Sequence, residues 1–564
     1  MASSAAKVFQ PMAQTFYETH APLLQKAQEA ILKRTYWSAY PEMPSGKIYG
    51  ETAKVDAETT FKNYLGKSFD LKQPSTKTVG AEESPYGFPL NITYPSADID
   101  TLIKASAAAC KTWGQASIEE RAGVALEILS RINKQSFLMA NAVMHTSGQA
   151  FMMAFQAGGP HAQDRGLEAI AYAVSEMQRV PLTARWEKVT GKDQTTVLDK
   201  TFRLIPRGIS VIIGCATFPT WNSYSALFAS MVTGNTVIVK PHPGAILPLA
   251  ITVKIARDVL AEAGFDPNVV LLAPDTADAP ITKELVQREE VKIVDFTGSP
   301  MFGKWLRDNL RDKQLYTEEA GVNSVVIDST DNFKGMTSNI AFSLALYTGQ
   351  MCTAPQNIFV PRGGIDTPEG KKSFDDIGEA IKTSLDKLLG DNDRAAAILG
   401  AVQNQATVKR AFDAKTRGKV VRDGSAIVIP GMEMARTMTP LLLAVDAKDK
   451  DKYDEECFGP VAFLIATDDT AESIKLASTG ARERGAITAS LYSTREDVIE
   501  KASDAFADAG AALSINLTGH IYVNQSAAFS DYHVSGANPA GNASLTDAAF
   551  VANRFRTVTI RRQQ

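Results

Sequence analysis

Residues 207–241 read "RGISVIIGCATFPTWNSYSALFASMVTGNTVIVKP". The run "ISVIIG" (209–214) is short, β-branched and bounded by glycine, the pattern of a buried strand. "YSALFASMV" (224–232) is helix-like, and "GNTVIVKP" (234–241) is a second strand of the same kind. Strand, helix and strand in succession make a crossover unit, with two parallel strands and a helix packed on them. The pattern continues through "LPLAITVKIARDVLAEAG" (247–264), a helix, to the strand-like runs "NVVLLAPD" (268–275) and "VKIVDFTG" (291–298). A second series starts near Ser324 with "SVVIDS" and a helix over 334–348. It continues with strands at 357–364, 439–446, 460–468, 487–493 and 512–518. The expected fold class is therefore α/β, in two sheet-and-helix units that meet near 318–324.

Outward from this core, 1–35 is expected as helix, and 36–98 as irregular or strand-like, being rich in Pro, Gly, Tyr and Ser. Helices are expected over 96–113, 117–148 and 164–179, with Ser117 and Glu120 as a capping box. Residues 185–208 alternate and turn like a hairpin, and "NRFRTVTIRRQQ" at the C-terminus is β-rich.

Composition bounds the chemistry. The 564 residues are 45% hydrophobic and 22% charged, with formal net charge −4. That is ordinary globular composition without a basic field for nucleic acid. No apolar run approaches the ~18 residues a membrane span needs. The N-terminus lacks an apolar signal-peptide core. The four cysteines, Cys110, Cys215, Cys352 and Cys457, are far apart in sequence, and the six histidines show no pair at ligand spacing. A reducing, cytoplasmic setting is expected, with no metal site.

GxGxxG, HExxH and GxSxG are absent. Four segments carry chemistry instead. "TGQMCTAPQNIFVP" (348–361) sets Cys352 among small residues between a helix and a strand. "YTEEAGVNSVVI" (316–327) puts Glu318 and Glu319 at the mouth of a predicted strand. "DFTGSPMFG" (295–303) ends a strand with Thr-Gly-Ser and opens a helix, a turn whose amides suit a pyrophosphate. "EECFGPVAF" (455–463) sets a carboxylate and an aromatic before a Gly-Pro turn.

In this order, over roughly 95–560, these segments resemble the aldehyde dehydrogenase superfamily. "GQMC" is similar to its nucleophile motif, "TEEAG" to its general-base motif, "FTGS" to its nucleotide loop and "EECFGP" to its Glu-x-Phe-Gly-Pro motif. The resemblance implies an aldehyde dehydrogenase-like fold, with a Rossmann-variant cofactor domain, an α/β catalytic domain and a small β oligomerisation arm. It divides the chain into an N-terminal extension (1–95), a cofactor domain (96–180 and 209–317), a catalytic domain (318–518) and the arm (181–208 and 519–564). Such arms imply a homodimer or homotetramer.

The resemblance also assigns roles. Cys352 is the nucleophile, and Glu318 is the base, with Glu319 as its rival. Thr217, in "TFP", stands where most of the family has an asparagine that donates to the oxyanion. Asn222 is the other candidate for that donor, or else a helix N-cap. Lys240 would reach the adenosine ribose. Pro243 stands where members that prefer NAD often carry a glutamate. With no carboxylate there, and with Lys240 and His242 near, NADP is favoured over NAD. Gly298 and Ser299 would face the pyrophosphate or nicotinamide, Glu456 the nicotinamide ribose, and Phe458 the ring.

"GQMCTA", "EEAGVN" and "YHVSGANPAGN" (532–542) are most similar to the phenylacetate-degradation branch, without its hydratase domain. That implies a small-molecule, CoA-linked semialdehyde substrate. A CoA-acylating enzyme and a silent scaffold of the same fold stay open as alternatives.

Overall fold

The computed structural model describes residues 11–319 and 321–564. Five parallel strands form the first sheet. Ile209–Ile213 is central, with Thr236–Lys240 and Val270–Leu272 to one side and Val291–Gly298 and Gln314–Glu319 to the other. The central strand is buried along its whole length. Alternating side chains of this strand and its neighbour Thr236–Lys240 feed two cores: Ile212, Val237 and Val239 join one cluster, while Val211, Ile213 and Ile238 join another. The chain builds outward to Val270–Leu272 and then crosses back to begin the other half. The order of strands thus reverses between Ile209–Ile213 and Val291–Gly298, and open α/β sheets bind ligands beyond the carboxyl ends of the strands at such a point.

The second sheet has seven strands, in the order Lys419–Arg422, Leu441–Asp446, Val461–Thr467, Asn357–Pro361, Ser324–Ile327, Thr488–Tyr492, Ala512–Ile515. All neighbours are parallel except the first pair. The edge strand Lys419–Arg422 was not among the expected strands. It is short, half-exposed and basic at both ends, so it lacks an apolar alternation to read.

The acidic pair, Glu318 and Glu319, precedes the expected strand, Ser324–Ile327, and also ends one of its own, Gln314–Glu319, in the first sheet. Successive side chains on a strand point to opposite faces, so the two carboxylates are sent apart.

In the N-terminal region, helix Pro11–Lys33 meets the expectation for 11–33, and residues 1–10 lie outside the described residues. Helix Ala53–Tyr64 overturns the irregular reading of that stretch. It buries only Ala57 and Phe61, too little apolar periodicity to announce a helix. The Ser117–Glu120 capping box forms. The hairpin Thr183–Gly191 and Gln194–Pro206 takes the tail strand Phe555–Gln563 as a third antiparallel strand. Val189, Val558 and Ile560 are exposed on this small sheet. Among the described residues no helix is long and apolar enough to cross a membrane.

Candidate active site

Cys352 sits in the turn between helix Phe333–Ala345 and strand Asn357–Pro361. The approach is unusual: Tyr347, Thr348 and Gly349 are all left-handed, with φ of 51°, 55° and 64°. Two of these lack glycine's freedom, so their neighbours must hold them. The Tyr347 hydroxyl donates to the Ser147 carbonyl (2.5 Å) and the Thr348 hydroxyl to the Leu399 carbonyl (2.9 Å). Beyond the turn, Asn323 Nδ2 donates to the carbonyls of Cys352 (2.8 Å) and Ala354 (3.0 Å). Its Oδ1 accepts from the amides of Ile487 and Thr488. One buried amide thus fixes the Cys352 loop to the second sheet.

Glu318 reaches this loop from the first sheet. Its carboxylate is fully buried and surrounded by donors. Oε2 accepts from Asn222 Nδ2 and from the Thr297 hydroxyl (3.1 Å). Oε1 lies 3.0 Å from His533 Nε2, and that nitrogen is 3.8 Å from Cys352 Sγ. Burial pushes the Glu318 pKa up, but the His533 ring and hydrogen bonds from Cys352 and Thr297 outweigh it and hold the group below the ordinary glutamate value. Cys352 goes the other way: burial and the adjacent Glu318 charge push its thiol well up. At rest the site therefore pairs a protonated thiol with an ionised carboxylate. Glu319, by contrast, turns to Arg307 on helix Pro300–Asn309.

The stretch around Cys215 contributes a wall. Helix Pro219–Val232 begins after Phe218, and Asn222 lies inside it rather than at its cap. Its side chain joins the Cys215 thiol (3.6 Å to Oδ1) to Glu318. Thr217 is placed otherwise. Its carbonyl accepts from Gln149 Nε2 (2.8 Å) and from the Tyr347 hydroxyl (3.4 Å). Among the described residues no hydrogen bond joins Thr217 to Cys352.

His533 went unread in the sequence, although "YHVSGANPAGN" was singled out. Its segment folds back along the strand that carries Glu318: the Glu319 amide donates to the Ala540 carbonyl (2.6 Å) and the Thr317 amide to Asn542 Oδ1 (3.0 Å). The ring edge packs on Trp221, with centroids 4.8 Å apart. The Cys352 sulfur, a His533 ring nitrogen and a Glu318 carboxylate oxygen all lie within 4.8 Å of one another. The buried His533 Nδ1 has no partner, whereas a metal-bound imidazole ordinarily donates from its second nitrogen. The trio is thus better suited to handling a proton than to holding a metal.

At the carboxyl ends of the outer strands, Lys240 Nζ lies 2.6 Å from Asp275 Oδ1 and donates to the Pro241 carbonyl (2.6 Å). Both side chains are buried. This corrects the premise taken from Pro243: a carboxylate does stand beside Lys240, supplied by the next strand's loop. His242 offers no counter-charge. Its Nδ1 accepts from the Gly244 amide (3.0 Å), and burial followed by Lys240 pushes its pKa down to about 4. Pro243 makes the turn between them.

Gly298 has its own ring neighbour, since a Cβ there would meet Phe296 at 2.7 Å. Ser299 caps helix Pro300–Asn309 through the Phe302 amide (3.4 Å). The loop of Glu456 and Phe458 abuts the nucleophile turn: a Cβ on Gly349 would meet the Gly459 carbonyl at 2.5 Å. Burial pushes Glu456 up to about 7, and the Phe458 carbonyl accepts from Arg410 (2.6 Å).

The chain is similar to known proteins over most of its length. The model of the aldehyde dehydrogenase family matches residues 92–549. The crystal structure of an NAD-dependent aldehyde dehydrogenase from Burkholderia multivorans is 55% identical, covers 97% of this chain and 99% of that one, and superposes with a TM-score of 0.96. A Thermus 1-pyrroline-5-carboxylate dehydrogenase with bound NAD shares the fold at 19% identity, with 94% and 99% coverage and a TM-score of 0.73. The 1-pyrroline-5-carboxylate dehydrogenase of Bacillus licheniformis is 24% identical over 75% of this chain and 78% of its own. Motif order, fold and match together place the chain in the aldehyde dehydrogenase family.

Proposed function

We propose that the chain oxidises an aldehyde to its carboxylic acid, with Cys352 as nucleophile, Glu318 as base and NAD as the preferred oxidant. The contact of Glu318 with both His533 and Cys352 carries this proposal, because it puts a buried thiol, an ionised carboxylate and a proton-bearing ring at one point. The thiol sulfur adds to the carbonyl carbon, and loss of hydride leaves a thioester on Cys352. Glu318 then takes a proton from the water that attacks the thioester, releasing the acid and the sulfur. NAD, when bound, accepts the hydride.

The cofactor fit rests on the strand ends at the switch point. The N-terminus of the Ser299-capped helix would hold the pyrophosphate, and the Lys240–Asp275 pair would meet the adenosine ribose. A carboxylate there accepts from ribose hydroxyls and repels a 2′-phosphate, which favours NAD over NADP. Glu456 and Phe458 would serve the nicotinamide half.

For the substrate we infer a CoA-linked semialdehyde from aromatic-acid breakdown, on the likeness of "GQMCTA" and "YHVSGANPAGN" to the phenylacetate-degradation branch. The exposed apolar side chains of the three-stranded arm suit burial against a second copy, so a homodimer or homotetramer is inferred. The domain division stated above is kept on the same ground.

The test is turnover followed through reduced nicotinamide with free and CoA-linked semialdehydes. Cys352→Ser should abolish it. Glu318→Gln, which lacks both the acceptor for the thiol proton and the base for water, should slow formation of the first equivalent of reduced cofactor and then stall at the thioester. Full activity in Cys352→Ser, or normal turnover of Glu318→Gln without added CoA, would exclude these roles.

A further inference from the structure

An oxyanion on the carbon bonded to Cys352 needs donors, and among the described residues neither Thr217 nor Asn222 of the "CATFPTWNS" stretch makes a hydrogen bond to Cys352, whereas His533 Nε2 reaches its sulfur. The Asn222 amide is divided between Cys215 and Glu318, and the Thr217 carbonyl is held by Gln149 Nε2. We propose that His533 is a catalytic residue, whose Nε2–H donates to the oxyanion formed when Cys352 adds to the aldehyde. This rests on the reading of Cys352 as nucleophile.

Three observations carry it. The first is distance. Nε2 stands 3.8 Å from Sγ, so an oxygen on the carbon joined to that sulfur comes within reach. Oxyanion donors stand about 2.7–3.1 Å from the charged oxygen. The second is the state of the ring. Nδ1 is buried without a partner, and a buried N–H without an acceptor is rarer than a buried lone pair without a donor. The ring hydrogen is therefore assigned to Nε2, the nitrogen that faces the site.

The third is preorganisation. Val534, next in the chain, is held at φ 68°, a left-handed conformation that a β-branched residue adopts only under constraint. The Ser544 hydroxyl donates to the Val534 carbonyl, the Leu545 amide donates to the His533 carbonyl (3.3 Å), and Val534 packs with Ile487 and Ala540. Trp221 fixes the ring edge, itself backed by Arg165 with its guanidinium 5.2 Å from the Trp221 ring centroid.

The step balances. The Cys352 thiol proton passes to Glu318, the S–C bond forms, and the carbonyl π pair moves to oxygen. Once protonated, Glu318 attracts the His533 N–H less, so that N–H turns to the new oxyanion beside the Cys352 amide. The oxygen pair then re-forms C=O as hydride leaves to the oxidant named above. Glu318 returns its proton to solvent before it activates water.

His533→Phe keeps the ring and removes the donor, and His533→Asn restores a shorter donor. In the full-length enzyme, His533→Phe should lower kcat/KM by about 100–1000-fold, with single-turnover formation of reduced nicotinamide falling by the same factor. Asn should recover part of the loss. Alkylation of Cys352 by iodoacetamide should fall far less than turnover, and Thr217→Val should cost less than His533→Phe. Thermal melting of both His533 variants checks folding. If His533→Phe and His533→Asn both turn over at near the wild-type rate, or if alkylation slows as much as turnover, His533 is not the oxyanion donor. Thr217→Val as the costlier change would return that role to Thr217. Loss of turnover in Cys352→Ser is the control for the underlying reading, and its failure would be a separate result.

Discussion

Asp275→Asn tests the cofactor site. The wild-type carboxylate lies 2.6 Å from Lys240 Nζ, and both side chains are buried. A 2′-phosphate placed about 6 Å from that carboxylate would meet ~3 kcal/mol of repulsion per pair of unit charges at an effective dielectric of 20. The phosphate carries about −1.5 to −2, and solvent in the cleft screens part of the effect. About 2–3 kcal/mol should therefore be relieved when the charge is removed and Lys240 is left facing the phosphate. That is a shift of about 30- to 150-fold in the ratio of kcat/KM for NADP to that for NAD.

The variant should also lose stability, because one partner of a buried pair is left unmatched, an effect of about 3–5 kcal/mol. Binding of NADP should recover much of that loss, since its phosphate replaces the missing partner. The assay is steady-state kinetics with both cofactors, with dissociation constants and melting temperatures measured for each. A melting temperature that falls while the cofactor ratio moves less than about threefold would refute the reasoning, and would leave the pair as a staple between strands.

Three further outcomes follow from buried charges. Arg554 is fully buried and grips Asp295 with Nη1 at 2.8 Å and Nη2 at 2.5 Å. Arg554→Met should cost about 3–5 kcal/mol in denaturant unfolding, and Asp295→Asn on top of it should recover part; a loss under about 1 kcal/mol contradicts this. Glu82 accepts from the amides of Ile246 and Leu247 and from the Tyr94 hydroxyl, and burial raises it from 4.5 to about 7. The folded state then binds the extra proton, so stability is fullest below pH 4.5 and falls as pH rises toward about 7. Glu82→Gln should remove that slope in unfolding free energies measured across the window, and an unchanged slope counts against it. Glu318 is depressed instead, so its base form persists as pH falls, and the acid limb of deacylation should lie below the ordinary glutamate range. Thr297→Val removes one of the donors and should move that limb upward, and a limb that stays put in stopped-flow traces would rule out the role given to Thr297.

The sheets were legible because their strands are buried on both faces and read as short β-branched runs between glycines. The whole central strand Ile209–Ile213 is such a run. Helix Ala53–Tyr64 and strand Lys419–Arg422 were not, because each buries too few side chains to leave a period. Within the site, Cys352 and Glu318 lie in motifs whose order is informative. His533 and Asp275 do not. They reach the site through an edge pairing of 540–542 with Gln314–Glu319 and through the loop after Val270–Leu272. Linear spacing cannot show a side-chain trio spread over Glu318, Cys352 and His533. The NADP expectation examined only the position three residues after Lys240, and the Asp275 carboxylate comes from the loop of the neighbouring strand.

Two thiols face this pocket, and acidity does not choose between them. Burial, followed by the Glu318 charge, pushes Cys352 well up, and burial pushes Cys215 up to about 12. Connectivity decides. The Cys352 sulfur lies 3.8 Å from His533 Nε2 and within 4.8 Å of the Glu318 carboxylate, so its proton has an acceptor at hand. Cys215 reaches Glu318 only through Asn222. The orientation of that amide is fixed, because its oxygen turned toward an ionised carboxylate would set two acceptors against each other. Oδ1 must then face Cys215 and Nδ2 must face Glu318. A neutral amide in that position orients the carboxylate but does not pass a proton on. Cys215 is thereby held as a donor behind the base, and the strand-to-helix turn serves the chemistry by aiming Glu318 at the other sulfur.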